Sequence, residues 1–259
     1  GVSVYSQKNA KWTDLFNGKD LKGWKTYLTQ ELDSAGNKVS DTLIGYNNDP
    51  QNIFTVDKKN KMIRISGQSW GAMSTVAEYE NYHLQLKFKW GKLKWASKKK
   101  SPLDSGLLYH SFGEPVNSGW MTSQEFQVEE NNCGDYWIIG KVRVTVPSTK
   151  DKPNRYSYDP NGERRDYGVN GNNWCHRGEA TEKPAGEWNT LDLYCYGDTS
   201  VHVVNGKVVM VLYNSRQYTS GSDTPLTKGK IQLQSEGGEV FYKDIRIQSI
   251  SGLRDILKH

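Results

Sequence analysis

The sequence predicts an all-β protein, a sandwich of two antiparallel sheets. Short runs of alternating apolar and polar residues recur along its 259 residues and end at Gly, Asn, Asp or Pro, whereas few stretches carry a helical period. Nine tryptophans, 15 tyrosines and 25 glycines favour strands and tight turns over helix bundles. Because the strands follow one another without intervening helices, a parallel α/β sheet is excluded.

The alternating runs define eleven strands. In chain order we expect them at Phe54–Val56, Met62–Ser66, His83–Trp90, Gly106–Ser111, Gln124–Glu130, Trp137–Val146, Thr190–Tyr196, Ser200–Val204, Lys207–Tyr213, Gly229–Glu236 and Val240–Gln248. Asn205-Gly206 is the clearest hairpin signal, because both residues accept the positive φ angles of a type I′ turn. A second hairpin is expected at Glu236-Gly237-Gly238, between the last two strands.

Residues 147–186 break this pattern. The segment is polar, rich in Gly, Asn and Pro, and has no periodicity, which predicts a long loop packed over one rim of the sandwich. Its tyrosines and Trp174 argue against plain disorder, because aromatic side chains contribute burial. Leu28–Asp49 is interpreted as a smaller insertion of the same kind. With no repeat and no linker in the sequence, we expect a single domain over residues 1–259.

Composition and charge limit the classes of molecule that this protein can bind. The formal net charge is +5, but Lys and Arg are scattered, and the cluster Lys92–Lys100 is interpreted as a solvated loop, so we expect no nucleic-acid partner. No apolar run approaches the ~20 residues that span a bilayer. Three cysteines, Cys133, Cys175 and Cys195, leave two arrangements open: one disulfide with a free thiol, or three buried thiols. The oligomeric state is left open as well.

Two strands carry a polar face opposite an apolar one. Successive side chains of a strand point to opposite faces, so the core face receives Phe126, Val128, Ile231 and Leu233. The opposite face receives Glu125, Gln127 and Glu129 from one strand and Gln232, Gln234 and Glu236 from the other. His110 and Tyr194 lie on the polar faces of their own strands. Acids, amides and aromatic rings suit sugar hydroxyls, so we expect one concave sugar-binding face; an ordinary solvated face is the alternative.

The hexapeptide EFQVEE, Glu125–Glu130, is the sharpest pattern. It resembles the carboxylate strand of laminarinase-type glucanases. Residues four apart on a strand lie ~13 Å apart at Cα, and side chains leaning together can approach the ~5–5.5 Å separation of a retaining pair. Use of Glu130 instead of Glu129 requires a bulge. Gln127 stands where those glucanases have Asp, and an amide cannot relay a proton.

A wider resemblance covers most of the chain. Six blocks in order carry it: Trp12–Trp24, Val76–Trp90, Asp104–His110, Trp120–Trp137, Glu182–Val209 and Gly229–Ile247. They resemble the 3-keto-disaccharide hydrolase-like family. The resemblance implies a concanavalin-like jelly roll that cleaves glycosides oxidised at C3 of the sugar. Many members are exported proteins of Bacteroidetes and Planctomycetes, so we expect a periplasmic or cell-surface protein whose leader has been removed.

The resemblance implies a 3-keto-glycoside substrate, and this substrate predicts a role for each candidate residue. We expect Glu125 as general base or acid and Gln127 as the amide that orients the substrate, with Glu129 or Glu130 completing the carboxyl pair. His110 is the expected second proton-transfer group, or a ligand if a metal polarises the ketone. The rim is expected to cover the cleft with His176 and Arg177, and the candidate sugar platforms are Trp120, Trp137 and Trp174.

Three functions remain open on the sequence alone. The first is an enzyme that cleaves glycosidic bonds, with a carbohydrate as its partner. The second is a non-catalytic carbohydrate-binding module that uses the same face, and the third is a surface or scaffold protein whose polar sheet binds another protein. No cofactor and no metal site are assigned, since no oxygen-ligand spacing matches a calcium loop. A bound metal ion is left open.

Overall fold

The computed structural model describes residues 10–219 and 221–258, apart from the side chains of residues 96 and 97. This part of the chain holds one 3-10 helix, η1 (Ala96–Lys100), and 21 strands. The strands are β1 (Thr13–Asp14), β2 (Trp24–Leu32), β3 (Lys38–Tyr46), β4 (Phe54–Asp57), β5 (Met62–Ile65), β6 (Gly71–Thr75), β7 (Tyr79–Glu80), β8 (Tyr82–Lys94), β9 (Asp104–Phe112), β10 (Thr122–Glu129), β11 (Tyr136–Ile139), β12 (Val142–Lys152), β13 (Arg155–Tyr158), β14 (Glu163–Tyr167), β15 (Trp174–Cys175), β16 (Asn189–Tyr196), β17 (Thr199–Val204), β18 (Lys207–Gln217), β19 (Thr224–Pro225), β20 (Lys228–Ser235) and β21 (Gly238–Ser249). No helix in these residues has the length and apolar character needed to cross a bilayer.

The strands form two sheets, which we call the back sheet and the cleft sheet. The back sheet has twelve strands in the order β13-β12-β18-β17-β16-β8-β21-β5-β4, with β1, β14 and β19 added to β21, β12 and β18. The cleft sheet has nine, in the order β15-β11-β10-β9-β20-β6-β2-β3, with β7 added to β20. Their neighbouring strands pair antiparallel. The predicted all-β sandwich is therefore confirmed.

The core lies between the two sheets and follows the alternation read from the sequence. The back sheet contributes Leu84 and Phe88 of β8, which are fully buried. The cleft sheet contributes Phe126 of β10 and Ile231 and Leu233 of β20, also fully buried. Each such side chain stabilises the fold by roughly 1.5–3 kcal/mol relative to exposure. Burial of these residues fixes the register of β10 and β20, so their alternate side chains must point away from the core.

The Asn205-Gly206 hairpin forms as predicted, with φ of 50° and 81° between β17 and β18. The hairpin predicted at Glu236-Gly237-Gly238 is wrong, because this turn carries the chain from β20 in the cleft sheet to β21 in the back sheet. One predicted strand is divided, because Gly140 at φ 77° separates β11 from β12.

The expected rim loop at 147–186 differs from the structure. β12 continues through Lys152 and pairs with β13 and β14 in the back sheet, while β15 pairs with β11 in the cleft sheet. Charged residues of the segment 147–186 hide its strand pattern from the sequence. For example, the guanidinium of Arg165 packs 4.0 Å from the ring centre of Tyr156, at a position where an apolar side chain would have indicated a strand. The insertion expected at Leu28–Asp49 is also wrong, because β2 and β3 form a hairpin at the edge of the cleft sheet.

Of the two cysteine arrangements that the sequence left open, the structure shows the second, three buried thiols. Cys133, Cys175 and Cys195 are all buried free thiols.

Candidate active site

A cleft of about 310 Å³ opens on the face of the cleft sheet that points away from the core. Strands β9, β10, β11 and β20, η1 and the turn after β20 supply its walls. The lining residues are Lys98, Asp104, Trp120, Glu125, Gln127, Glu129, Trp137, Ile138, Ile139, Gln234 and Glu236. The cleft therefore gathers four carboxyl groups, two amides and one ammonium group.

Strand register places these groups in successive rows. Glu125 of β10 is the Cα partner of Leu108 on β9, Gln127 is the partner of Gly106, and Glu129 is the partner of Asp104. β9 also pairs with β20, so the acids of β10 and the amides of β20 flank one shared strand. The structure thus brings together the two polar rows predicted from the sequence.

Gly106 makes room for the centre of the cleft. A methyl group at this position would overlap Oε1 of Glu125 and Oε1 of Gln234, so both side chains converge over the bare backbone of β9. The Oε1 atom of Gln234 is buried and has no hydrogen-bond partner in the described part of the chain. An unpaired buried acceptor is costly and suits a donor from a ligand or from a protonated carboxyl group.

Lys98 and Asp104 form an ion pair in the cleft that the sequence did not indicate. Lys98 belongs to the run that was interpreted as a solvated loop, but η1 folds it back so that its stem packs against Gly237. Asp104 opens β9 and is 4% exposed. Its Oδ2 contacts Lys98, whereas its Oδ1 is buried and, among the residues that the structure describes, meets no hydrogen-bond partner of normal geometry. One oxygen of this carboxylate is thus held and the other is uncommitted.

The pKa values of the carboxyl groups in the cleft are raised to different extents. Burial raises the pKa of Glu125 well above its ordinary value, and the negative charges of Glu236 and Asp104 raise it further. Burial raises the pKa of Glu236 to about 8. It raises the pKa of Asp104 only to about 6, because the Lys98 ammonium favours the ionised form. The cleft therefore combines two carboxyl groups whose burial favours the protonated form, Glu125 and Glu236, with Asp104, whose ionised form is favoured by Lys98.

We expect Glu236→Gln to flatten the pH dependence of stability. The folded-state pKa of Glu236, about 8, lies above its ordinary 4.5, so the folded protein binds more protons in this window and its free energy of unfolding falls as pH rises. The variant loses this penalty: its Tm should exceed the wild-type Tm by about 3 °C or more at pH 9 and approach it at pH 4. Thermal unfolding across this range, with the exposed Glu163→Gln as control, measures it; parallel curves would contradict the assignment.

Two predicted site residues have structural roles: Trp120 forms part of the cleft wall, and Gln232 holds the loop behind it. Trp120 lines the cleft but is only 5% exposed, and its ring stacks on Trp70 with centroids 5.9 Å apart. Gln232 does not line the cleft: its Nε2 donates to Ser111 and Ser123 Oγ, and its Oε1 accepts from the Met121 backbone at 3.2 Å. Gln232 therefore anchors the loop that carries Trp120.

Glu130 lies outside the cleft. It follows the last residue of β10, and its Oε2 accepts from the Leu103 backbone at 3.2 Å and lies 3.7 Å from Lys94 Nζ. No bulge swings it onto the face of Glu125, so Glu129 is the carboxyl that shares the cleft.

His110 also lies outside the cleft. Strict alternation along β9 predicted its side chain on the cleft face, beside that of Leu108. Its φ of 51° and the shifted register between β9 and β10 mark a bulge, which turns the ring toward Tyr82 in the core. The side chain is 1% exposed, and burial lowers its pKa to about 4. A neutral, enclosed imidazole of this kind cannot reach a substrate in the cleft.

Tyr194 belongs to the other sheet. β16 pairs with β8 in the back sheet, and the Tyr194 ring stacks on His83 with centroids 3.9 Å apart. The ring of His83 in turn contacts Asp192, 2.7 Å from its Nε2. The polar face of β16 is thus a satisfied network on the back sheet and does not extend the cleft.

His176 and Arg177 hold the chain in place beside the cleft. Both contact Asp135, which is 1% exposed: His176 Nδ1 lies 3.0 Å from Oδ2, and Arg177 Nη1 donates to Oδ1 at 3.3 Å. Trp174 Nε1 donates to the same carboxylate at 2.8 Å. Neither His176 nor Arg177 lines the cleft. This cluster fixes β15 against β11, which orients Trp174.

Among the residues that the structure describes, no group of three or more His, Cys, Asp and Glu side chains is arranged to hold a metal ion.

The chain belongs to the 3-keto-alpha-glucoside-1,2-lyase-like domain family, whose sequence model matches residues 11–248. This match confirms the resemblance carried by the six sequence blocks. A comparison with curated proteins finds no match.

Solved structures share the fold. Two proteins from Parabacteroides distasonis, described as candidate glycosyl hydrolases, are 21% and 18% identical to this chain, with TM-scores of 0.51 and 0.52. The alignments cover 92% of this chain in both cases, and 93% and 99% of those chains. A Bacillus subtilis protein of unknown function with a galectin-like fold is 9% identical, with a TM-score of 0.50, over 97% of this chain and 99% of that one. These likenesses confirm the predicted jelly roll.

Proposed function

We propose that this protein cleaves glycosides of 3-keto sugars in the cleft, by elimination across C1 and C2 of the sugar followed by addition of water. The observation that carries the proposal is the meeting, in one cleft, of Glu125, whose burial favours a protonated carboxyl group, and the Lys98–Asp104 ion pair, which favours an ionised carboxylate. The family is named for 1,2-lyase action on 3-keto-α-glucosides, which supports the same chemistry.

A ketone at C3 makes this cleavage accessible to acid–base catalysis. The ketone acidifies the proton on C2, so a carboxylate can remove it. The electrons of the C2–H bond form a C1=C2 double bond, the C1–O bond breaks, and the departing oxygen takes a proton from a general acid. Water then adds its oxygen to C1 and a proton to C2, which returns both enzyme groups to their starting states. Atoms and electrons balance without an oxidant or a cofactor.

The cleft supplies a group for each proton transfer. Asp104 is the base, because its Oδ1 is uncommitted and its pKa of about 6 is close to working pH. Glu125 is the acid for the leaving oxygen, since its raised pKa keeps it protonated. Lys98 is the one cation among the lining side chains and polarises the ketone oxygen as negative charge develops there.

Ordinary retaining hydrolysis fits the cleft less well. Glu125 stands on the strand that resembles the carboxylate strand of laminarinase-type glucanases, but Gln127 occupies the position where those enzymes have Asp, and an amide cannot take its place in a proton relay. The amides Gln127 and Gln234 instead suit the orientation of sugar hydroxyls.

The proposal predicts that kcat/KM rises with pH through about 6, as Asp104 ionises. Lys98 lowers the pKa of Asp104, so Lys98→Gln should move this limb of the profile to higher pH as well as lowering the rate. Lys99→Gln, an exposed neighbour, should leave the profile in place. If the rise of kcat/KM with pH occurs at the same pH in Lys98→Gln as in the wild type, Asp104 is not the base.

The direct test is incubation with methyl 3-keto-α-glucoside and with unoxidised methyl α-glucoside, followed by measurement of released methanol. Release from the keto sugar alone is expected. Equal release from both sugars, or release from neither while the keto sugar binds, would overturn the proposal. Parallel reactions with and without chelator establish whether a metal takes part.

A carbohydrate-binding module without catalysis is the second candidate. The 38% exposure of Trp137 at the cleft wall favours it, because an exposed tryptophan face binds a sugar ring whether or not a reaction follows. Sugar binding without any bond cleavage would establish this candidate.

The setting is part of the same proposal. The family resemblance supports a periplasmic or cell-surface protein that meets its carbohydrate outside the cytoplasm. Fractionation of the native host tests this setting.

A further inference from the structure

A second groove, of about 550 Å³, lies beside the cleft and shares one residue with it. That residue is Trp137, which lines both spaces. The other lining residues are Lys150, Pro153, Asn154, Tyr156, Gly171, Asn172, Asn173 and Trp174. All eight belong to the segment 147–186, so this groove is built by residues that the sequence analysis assigned to a loop.

Strand pairing joins the groove to the proton donor of the cleft. Trp137 on β11 is the Cα partner of Glu125 on β10 and of Trp174 on β15. Adjacent strands lie about 4.8 Å apart, so the three residues form a row roughly 10 Å long across the sheet. A ligand that begins at Glu125 and extends along this row passes over both tryptophans.

The two tryptophans form a fixed aromatic surface. Their ring centroids lie 5.7 Å apart with an interplanar angle of 24°, so the rings face nearly the same way. Trp137 is 38% exposed, and the hydrogen bond from Trp174 Nε1 to the buried Asp135 prevents the second ring from turning. A surface that is both exposed and held rigid is ready for a flat apolar partner at low entropic cost.

The surrounding side chains identify that partner as a sugar ring. Asn154, Asn172 and Asn173 offer amide donors and acceptors around the aromatic surface, and Lys150 adds an ammonium group. A pyranose has an apolar face of C–H groups and a rim of hydroxyls, which matches rings surrounded by amides. A purely aromatic leaving group would leave these amides without partners.

We infer that this groove binds the second ring of a disaccharide or longer substrate, the ring released when the glycosidic bond beside Glu125 breaks. The inference rests on the proposed function for the position of the first ring. It makes Trp137 and Trp174 the residues that recognise the leaving sugar.

The test compares two substrates that differ only in the second ring. One is a 3-keto-glucosyl-glucose disaccharide and the other is the methyl glycoside of the same keto sugar. Trp174→Ala should lower kcat/KM for the disaccharide about 10-fold, the effect expected from burying roughly 50 Å² of apolar surface, and leave the methyl glycoside within about twofold. Trp188→Ala, which removes a half-buried tryptophan packed against Lys89 and Lys243 of the back sheet, is the matched control and should change neither.

A second variant protects the test against misfolding, because Trp174 also bonds to Asp135. Asn154→Trp fills the groove from an exposed turn and should reduce turnover of the disaccharide alone. Equal losses for both substrates, or no loss for the disaccharide in either variant, would overturn the inference.

A binding experiment tests the groove independently of the proposed function. If the wild-type protein turns over neither keto substrate, titration with unoxidised gluco-oligosaccharides, followed by tryptophan fluorescence, still tests the groove. Binding that strengthens from one ring to two and is lost in Trp174→Ala supports the groove alone. Binding that does not depend on Trp174 overturns it.

Discussion

Glu125→Gln is expected to lower kcat by about 10²–10⁴-fold on methyl 3-keto-α-glucoside while leaving KM within a few-fold. The amide has the shape of the carboxyl group and still donates a hydrogen bond, but it cannot transfer a proton to the leaving oxygen. Because burial raises the pKa of Glu125 and favours its neutral form, the substitution changes the charge of the cleft less than it would at an exposed glutamate. Steady-state kinetics with the methyl glycoside measures the effect without any contribution from the second groove.

Glu130→Gln is the matched control for this variant. The two residues belong to the same hexapeptide, but Glu130 contacts Lys94 and the Leu103 backbone outside the cleft, so its variant should keep nearly full activity. Equal losses in the two variants would show that general disturbance of β10, and not loss of a proton donor, explains the result. Full activity of Glu125→Gln would remove Glu125 from the mechanism.

Gly106→Ala is expected to lower kcat/KM about 10²-fold or more with little effect on the fold. The new methyl group would overlap the carboxyl of Glu125 and the amide of Gln234, and both are ends of flexible side chains that can move aside. The fold therefore survives, while the proton donor loses its position. Displacements of this size at a reacting centre cost about 10²-fold or more in kcat/KM. Kinetics and thermal unfolding of the same preparation separate the two effects.

Gly91→Ala provides the corresponding substitution in the back sheet. A methyl group there would overlap the carboxylate of Glu239, so the local strain is of the same kind, but no cleft residue moves. We expect a small fall in Tm for both variants and a loss of activity only for Gly106→Ala. Retention of activity in Gly106→Ala would contradict the convergence of Glu125 and Gln234 over β9.

Alternation explains how much of the cleft the sequence could predict. Burial of Phe126 and Ile231 in the core fixes the register of β10 and β20, so Glu125, Gln127 and Glu129, and Gln234 and Glu236, must share the opposite face. Period-two patterning fails where the backbone departs from a regular strand. The bulge at His110, with φ of 51°, turns its ring into the core, and nothing in the residues around it marks a bulge.

Lys98 and Asp104 were missed for a different reason. A lysine in a charged run has no local signal for burial, and its position in the cleft depends on how η1 folds back against Gly237. Asp104 opens a strand, where an acidic residue is ordinarily interpreted as turn chemistry. The groove beside the cleft was hidden in the same way, since its lining comes largely from turns rich in Asn, Gly and Pro, which carry no apolar alternation.

The measurement that tests the central claim most directly follows hydrogen at C2. Methyl 3-keto-α-glucoside carrying deuterium at C2 is cleaved in ordinary water, and the released keto sugar is analysed by mass spectrometry, with the same sugar incubated without protein to correct for spontaneous exchange. Elimination with Asp104 as base predicts a primary isotope effect, so kcat/KM for the deuterated sugar falls several-fold below that for the protium sugar. It also predicts loss of deuterium to water in each turnover in which Asp104 exchanges the hydrogen before returning it to C2. Cleavage that retains all of the C2 deuterium and shows no isotope effect would contradict the account, because the C1–O bond would then break without removal of the C2 proton.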